Sequence, residues 1–174
     1  MPFRFESFDI WHMAREYAQK IYSATASLLI LPSAISYQPS ALMEIRIYYE
    51  DTDCGGVVYY ANYLKYFERA RTHFLEERGL SVPGLIEQGT QFLVVHAEID
   101  YRSPGRYGET LSIETKLAEI GQASLMFAHV IRERASQRIV VEGSAKLVAV
   151  DDQLKVKRLD QTILTALQVP EARN

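Results

Sequence analysis

The chain has 174 residues, long enough for one well-packed domain and too short to favour two; with 48% apolar and 24% charged residues it reads as soluble and globular. A net charge of −3 gives no electrostatic reason to expect nucleic acid or an anionic membrane as the main partner. The single cysteine, Cys54, excludes an intramolecular disulfide framework and a cysteine-based zinc cage, so the reducing cytoplasm is the simplest compartment.

The N-terminal forty-odd residues differ in pattern from the rest. Trp11, Ala14, Ala18, Ile21 and Leu28 follow alternating three- and four-residue steps, the stripe of an amphipathic helix seeking a partner. Thr25 weakens the stripe, and Leu31-Pro32-Ser33 ends it. The apolar stretch Ala24 to Ile35 is interrupted by Thr25, Ser27, Pro32 and Ser33 and falls short of the roughly 20 residues a membrane span requires. Glu6 and Asp9 stand where a signal peptide would be positive. The segment Phe3 to Leu31 resembles the first helix of the four-helix-bundle proteins encoded in rRNA intervening sequences. That likeness covers one helix of four and implies neither a bundle nor an RNA role. Residues 1–42 are therefore expected to form a helical extension and 43–174 the working domain.

From Met43 the pattern is that of strands. Glu44 to Glu50 alternates, with Ile45, Ile47 and Tyr49 on one face and Arg46, Tyr48 and Glu50 on the other. Tyr63 to Gly79 reads as a helix with Leu64, Phe67, Arg71, Phe74 and Leu75 along one side and Gly79 as its stop. Four strands are expected at Gln91–Arg102, Glu109–Glu119, Ala123–Glu133 and Arg138–Val150. Their separators, Ser103-Pro104-Gly105, Gly121-Gln122 and Ala135-Ser136-Gln137, suit antiparallel neighbours. The plan is α+β, one sheet wrapped around a long helix. Such a sheet leaves an edge for a second subunit, so at least a dimer is expected.

The segment most suggestive of chemistry is Asp51-Thr52-Asp53-Cys54-Gly55-Gly56, directly before the helix. Paired glycines let backbone N–H groups approach a ligand, and the helix start presents free N–H groups and a positive dipole end beside Asp53. A carboxylate facing aimed amides suits ester or thioester cleavage: the acid attacks or activates water while the amides hold the oxyanion. The run Ile45 to Asp53, with Tyr66-Phe67-Glu68-Arg69-Ala70-Arg71, resembles the signature of the 4-hydroxybenzoyl-CoA thioesterase family, in particular its YbgC-like, Tol-Pal-associated branch. The likeness spans roughly Met43 to Gln168. It implies a hotdog fold, a five-stranded antiparallel sheet around a central helix, that hydrolyses acyl-CoA with no metal or redox cofactor, with Asp53 as the catalytic carboxylate.

In that family the position of Tyr60 contributes a backbone N–H to the thioester oxygen. Many relatives carry histidine there, so any mechanism needing an imidazole beside Asp53 does not transfer to this chain. Gly55, Gly56, Val57, Asn62 and Tyr63 are the expected substrate-binding neighbours. Asp51, at the strand end, reads as an Asx-type turn, and Asn62 as a cap for the helix. Glu68 is the rival carboxylate, but Lys65 and Arg71 stand at the spacing of helix-surface ion pairs with it. Cys54 reads as small filler, because His12, His73, His96 and His129 are too scattered to supply its base or a metal site. Arg102 and Arg106, with Lys155, Lys157 and Arg158, are the candidates for the coenzyme A phosphates.

The resulting expectation is a cytoplasmic homo-oligomer, a dimer of hotdogs assembling to a tetramer, that cleaves fatty or aromatic acyl-CoA and meets acyl carrier protein as a further partner. A lyase alternative is a hotdog acyl-CoA dehydratase, but no histidine stands in the Asp53 motif to move its proton. A non-catalytic alternative is an acyl-carrier or envelope-complex adaptor, against which the intact Asp53-Cys54-Gly55-Gly56 loop speaks.

Overall fold

The structure, a computed structural model, describes residues 40–168. The helix expected over Phe3 to Leu31 lies outside the described residues. The elements in chain order are β1 (Ser40–Arg46), a 3-10 turn (Tyr49–Asp51), α1 (Asn62–Glu76), α2 (Val82–Glu87), β2 (Gln91–Tyr101), β3 (Thr110–Ile120), β4 (Ser124–Glu133), β5 (Ile139–Val150) and α3 (Gln161–Gln168). The five strands form one antiparallel sheet in the order β1-β3-β4-β5-β2.

Alternation sends one face of each strand inward. In β4, Leu125, Phe127, His129, Ile131 and Glu133 are buried while their neighbours are half-exposed, which is the period of two. The sheet closes on α1, whose Tyr63, Tyr66, Phe67, Ala70, Phe74 and Leu75 are all buried. Burial of each such large side chain contributes roughly 1.5–3 kcal/mol. Two apolar clusters result. One holds Phe74 and Phe127 edge to face at 5.3 Å together with Ile163 and Leu167 of α3; the other holds Tyr66 and Phe67 with Ile47, Ile113 and Ile131. His129, stacked on Phe67 at 4.3 Å, lies beside both, its Nδ1 3.0 Å from the Thr115 hydroxyl.

Several expectations shift. The first strand begins at Ser40, ahead of Met43, and ends at Arg46. Tyr49 does not join its inner face, because the chain tightens into the 3-10 turn, with the Tyr48 N–H donating to Asp51 Oδ2 at 2.9 Å, and leaves Tyr49 exposed. On α1, Leu64 faces outward, whereas Arg71 is buried. The helix stops at Glu76, and Gly79, with φ +74°, completes the reversal that returns Leu80 N–H to the Leu75 carbonyl at 2.9 Å.

The largest difference concerns Ser103-Pro104-Gly105. It is no hairpin turn, since β2 pairs with β5, not with β3. The segment carries the chain from an edge strand to an inner one, and on the way it passes the N-terminus of α1. Gly105 N–H donates to the buried Tyr63 hydroxyl at 3.1 Å, and Val58 N–H donates to the Gly105 carbonyl at 2.9 Å.

Candidate active site

The acidic loop is held at both ends. On its N-terminal side Asp51 is a structural hub: its carbonyl accepts from Tyr59 N–H and from Asn62 Nδ2, each at 2.9 Å. Asn62 is therefore the first residue of α1 and a tie to the loop, buried, in place of the expected cap. Beneath the loop lies the Tyr66 hydroxyl; burial first, and the adjoining Asp51 carboxylate second, hold its pKa well above the usual phenol range. On the C-terminal side Val57 bridges Arg106, and Val58 bridges Thr52.

Between these anchors Asp53 turns tightly. Its carboxylate Oδ1 accepts from Gly55 N–H at 2.8 Å, its own N–H donates to the Val57 carbonyl at 2.9 Å, and its carbonyl accepts from Gly56 N–H at 3.0 Å. Glycine suits both positions. Gly56 has φ +73°, and a Cβ on Gly55 would stand only 3.0 Å from Asp53 Oδ1. Asp53 and Cys54 are both exposed, so the carboxylate can meet a ligand.

Nine residues after Asp53 the chain enters α1. Among the described residues, the Tyr60 and Ala61 N–H groups donate to no acceptor. These are free donors at a helix start, where the dipole adds positive potential. The Tyr60 carbonyl accepts from the Tyr101 hydroxyl at 3.3 Å, which ties this turn to the edge strand. A cavity of about 330 Å³ opens beside it, lined by Val57, Val58, Tyr60, Tyr63, Tyr101, Arg102, Ser103 and Pro104. Burial raises the phenol pKa of Tyr63, with a smaller lowering from the Gly105 backbone bond, and burial likewise raises Tyr101. Both hydroxyls remain neutral donors and acceptors at physiological pH.

Of the site residues read from sequence, Val57, Tyr60, Tyr63 and Arg102 line this cavity. Asp53, Gly55 and Gly56 form the loop leading into it, and Asn62 and Arg106 brace that loop. Tyr101, Ser103 and Pro104 escaped the sequence reading, as did Arg138, which donates to the Ser103 hydroxyl and the Pro104 carbonyl, and Glu109, which accepts from Arg138. A second hollow, of about 380 Å³, lies on the outer sheet face among Glu44, Glu114, Arg132 and Arg134. It contains none of the expected site residues, and its Arg134 is paired to Glu44 at 3.0 Å.

The rival carboxylate, Glu68, sits on the exposed side of α1 and accepts from the Thr72 hydroxyl at 3.0 Å. Arg71 is buried rather than a surface partner, and burial lowers its pKa, the nearby Glu68 charge opposing the shift. Among the basic candidates, Arg102 pairs with Glu142 at 2.8 Å and Asp100 at 3.6 Å, whereas Lys157 is engaged with the Gly89 carbonyl, Thr90 and Asp160. Lys155 and Arg158 are exposed near the start of β2, the strand end opposite the cavity.

A five-stranded antiparallel sheet wrapped on one long helix, with an acidic loop pinned at the helix start, defines a hotdog-type protein. The model of the thioesterase-like superfamily matches residues 48–168, and the chain belongs to that superfamily. It is 35% identical over 121 residues to the acyl-CoA thioester hydrolase YbgC of Escherichia coli O6:H1, covering 69% of this chain and 90% of that protein. To the acyl-CoA thioesterase YbgC of Haemophilus influenzae it is 37% identical over 108 residues, 62% of this chain and 78% of the other. Among solved structures, a probable thioesterase from Bartonella henselae superposes with a TM-score of 0.66 at 28% identity, over 70% of this chain and 100% of that one. A 1,4-dihydroxy-2-naphthoyl-CoA thioesterase from Synechocystis superposes at 0.70 over 74% and 96%, with 24% identity, and speaks for the fold alone.

Proposed function

We propose that the chain hydrolyses acyl-CoA thioesters to free acid and coenzyme A, with Asp53 as the reacting carboxylate and the Tyr60 amide region as the oxyanion site. Two observations support this reading: an exposed Asp53 carboxylate held in a glycine turn, and, seven and eight residues further along the chain, Tyr60 and Ala61 N–H groups that donate to no acceptor among the described residues. Asp53 either attacks the thioester carbonyl or takes a proton from the water that does. In both routes negative charge gathers on the carbonyl oxygen, and preorganised amides at a helix terminus stabilise that charge more than they stabilise the neutral substrate. The cavity lined by Tyr60, Tyr63 and Tyr101 would receive the acyl group, with Arg102 at its rim and Arg106 beside Val57 as cations for the phosphates.

Fatty acyl-CoA is the first-choice substrate and aromatic acyl-CoA the second. β2 is an edge strand with an unpaired side among the described residues, and Leu64, Val94 and Tyr101 stand exposed along it and the facing helix. A second copy pairing along β2 would cover them and enclose the acyl cavity, giving a dimer that assembles further to a tetramer. A cytoplasmic place in lipid metabolism, with acyl carrier protein as a further thioester donor and an association with the Tol-Pal envelope system, belongs to the same proposal. So does the division into an N-terminal extension and a hotdog domain; the start of β1 at Ser40 supports a boundary a few residues ahead of Met43.

The test is thiol release across saturated straight-chain acyl-CoAs and benzoyl-CoA. Saturated substrates cannot be hydrated or dehydrated, so thiol release from them distinguishes a hydrolase from a dehydratase. No release from any member of the series would refute the proposal.

A further inference from the structure

Behind the cavity wall lies a polar cluster that the reaction itself does not use. Arg138, immediately before β5 and half-buried, donates through Nη1 to the Ser103 hydroxyl and to the Pro104 carbonyl, both at 2.7 Å. Through Nη2 it donates to both carboxylate oxygens of Glu109 at 3.0 Å. Glu109 Oε2 in turn accepts from Arg106 N–H at 3.0 Å. One planar cation thus gathers both ends of the segment that crosses from β2 to β3.

That segment is also the partner of the acidic loop. Ser103 and Pro104 line the acyl cavity. Gly105 is packed so closely that a Cβ there would come within 3.1 Å of Ile47 Cδ1 and of the Tyr63 hydroxyl. Its carbonyl holds Val58 N–H, and Arg106 bridges Val57. The acidic loop's C-terminal anchor therefore rests on a wall that is buried at Gly105 and exposed on either side of it, at Pro104 and Arg106. A loop of that kind keeps one geometry only if something over-determines it, and a planar guanidinium whose two amino groups hold opposite ends of the segment does so better than a flexible ammonium.

We propose that Arg138 is a positioning residue of the active site: with Glu109 it clamps the Ser103–Arg106 wall and, through it, sets the place of the Val57–Val58 anchor of the Asp53 loop. The proposal rests on the thioesterase reading of that loop. The clamp touches neither substrate nor reacting atoms, so its loss acts by displacement. Displacement by about 1 Å at a reacting centre costs on the order of 100-fold in rate, and a slackened wall also admits acyl groups that the native cavity excludes.

The experiment compares Arg138→Gln, Arg138→Lys and Glu109→Gln with the wild-type full chain, and with Arg134→Gln as a control that removes a surface arginine from the outer sheet face. Each is assayed for thiol release with hexanoyl-CoA and benzoyl-CoA, and for amide hydrogen exchange at Val58 and Gly105. Arg138→Gln is expected to lower kcat/KM by about 10- to 100-fold, to shift the ratio between the two substrates by several-fold, and to speed exchange at Val58 and Gly105 while the core amides of β4 stay protected. Glu109→Gln should move every readout the same way, and the double variant should be no worse than Arg138→Gln, since both changes break one clamp. Arg138→Lys should fall between, and Arg134→Gln should match wild type. Substrate preference and local exchange are readouts that a general loss of stability would not move selectively. Folded Arg138→Gln protein with wild-type kinetics, preference and exchange would overturn the clamp. A wild-type chain that releases no thiol would instead overturn the thioesterase reading.

Discussion

His129 is fully buried, stacked on Phe67, and its pKa is lowered from 6.5 to about 3, first by burial and second by the Arg71 charge. It is neutral in the folded chain at any pH above about 3, whereas in the unfolded chain it takes up a proton once the pH drops below 6.5. The unfolded state therefore binds more protons between those two values, and stability must rise with pH across that window and be lost as the pH falls through it. Between pH 7 and pH 5 the difference amounts to about 2 kcal/mol, from roughly 1.4 kcal/mol per pH unit below the unfolded pKa. Ordinary carboxylates stay ionised over that range. Glu133, whose pKa is lowered to about 2 by the Ser136 hydroxyl and by the Ala135 and Ser136 N–H groups, contributes stability that is lost only at lower pH. His129→Asn keeps a polar atom near Thr115 and removes the titration. Urea unfolding of both proteins at pH 7 and pH 5 should show the wild type losing about 2 kcal/mol more than the variant. Equal losses would mean that the native core admits a protonated His129 and that the burial argument is wrong.

Tyr101→Phe removes the hydroxyl that holds the Tyr60 carbonyl; kcat for acyl-CoA should fall several-fold with KM little changed, and an unchanged kcat would show that the helix start needs no latch. Cys54→Ala should leave turnover within a few-fold, since the thiol is exposed filler beside Asp53; a loss on the scale of a missing nucleophile in folded protein would reverse that assignment. A chain beginning at residue 38 should melt and hydrolyse acyl-CoA like the full chain, whereas one beginning at Met43 should melt lower. The shorter form loses the buried Ala41, its pairing with Thr115, and the Ser40 carbonyl that accepts from Arg78. A residue-38 chain that folds but cannot turn over would show that the extension supplies part of the site.

Much of this architecture was legible because it is local. Turn residues between apolar runs bounded four strands to within one residue at each end, and Gly79 marked the end of α1 because only a positive φ closes that reversal. Asp53, Gly55 and Gly56 were readable since a tight turn before a helix leaves its mark in consecutive residues. What escaped is set by pairings distant in the chain. Nothing in Ser103-Pro104-Gly105 distinguishes a hairpin from a crossover; the difference lies in β2 choosing β5. Leu64 left its expected face because α1 meets the sheet along the Tyr63, Phe67, Ala70 and Phe74 line, which puts Leu64 outside and keeps Arg71 inside near His129, not on the surface beside Glu68 as the ion-pair spacing suggested. The Arg138 clamp joins residues 35 and 29 positions apart. By contrast α2 was within reach: Ser81 caps it, accepting from Gly84 N–H at 3.2 Å, and Pro83 follows in the first turn, a combination that marks a helix start.

The most direct measurement is the steady-state turnover of Asp53→Asn beside Glu68→Gln, each checked for native folding. Asparagine keeps the size of the side chain and an acceptor for Gly55 N–H but cannot act as the anionic nucleophile or base. The expected result is a kcat lower by on the order of 1,000-fold or more for Asp53→Asn, with KM within a few-fold, and Glu68→Gln close to wild type. Near-normal turnover in Asp53→Asn together with an inactive Glu68→Gln would move the chemistry from the glycine loop to the helix and contradict the account.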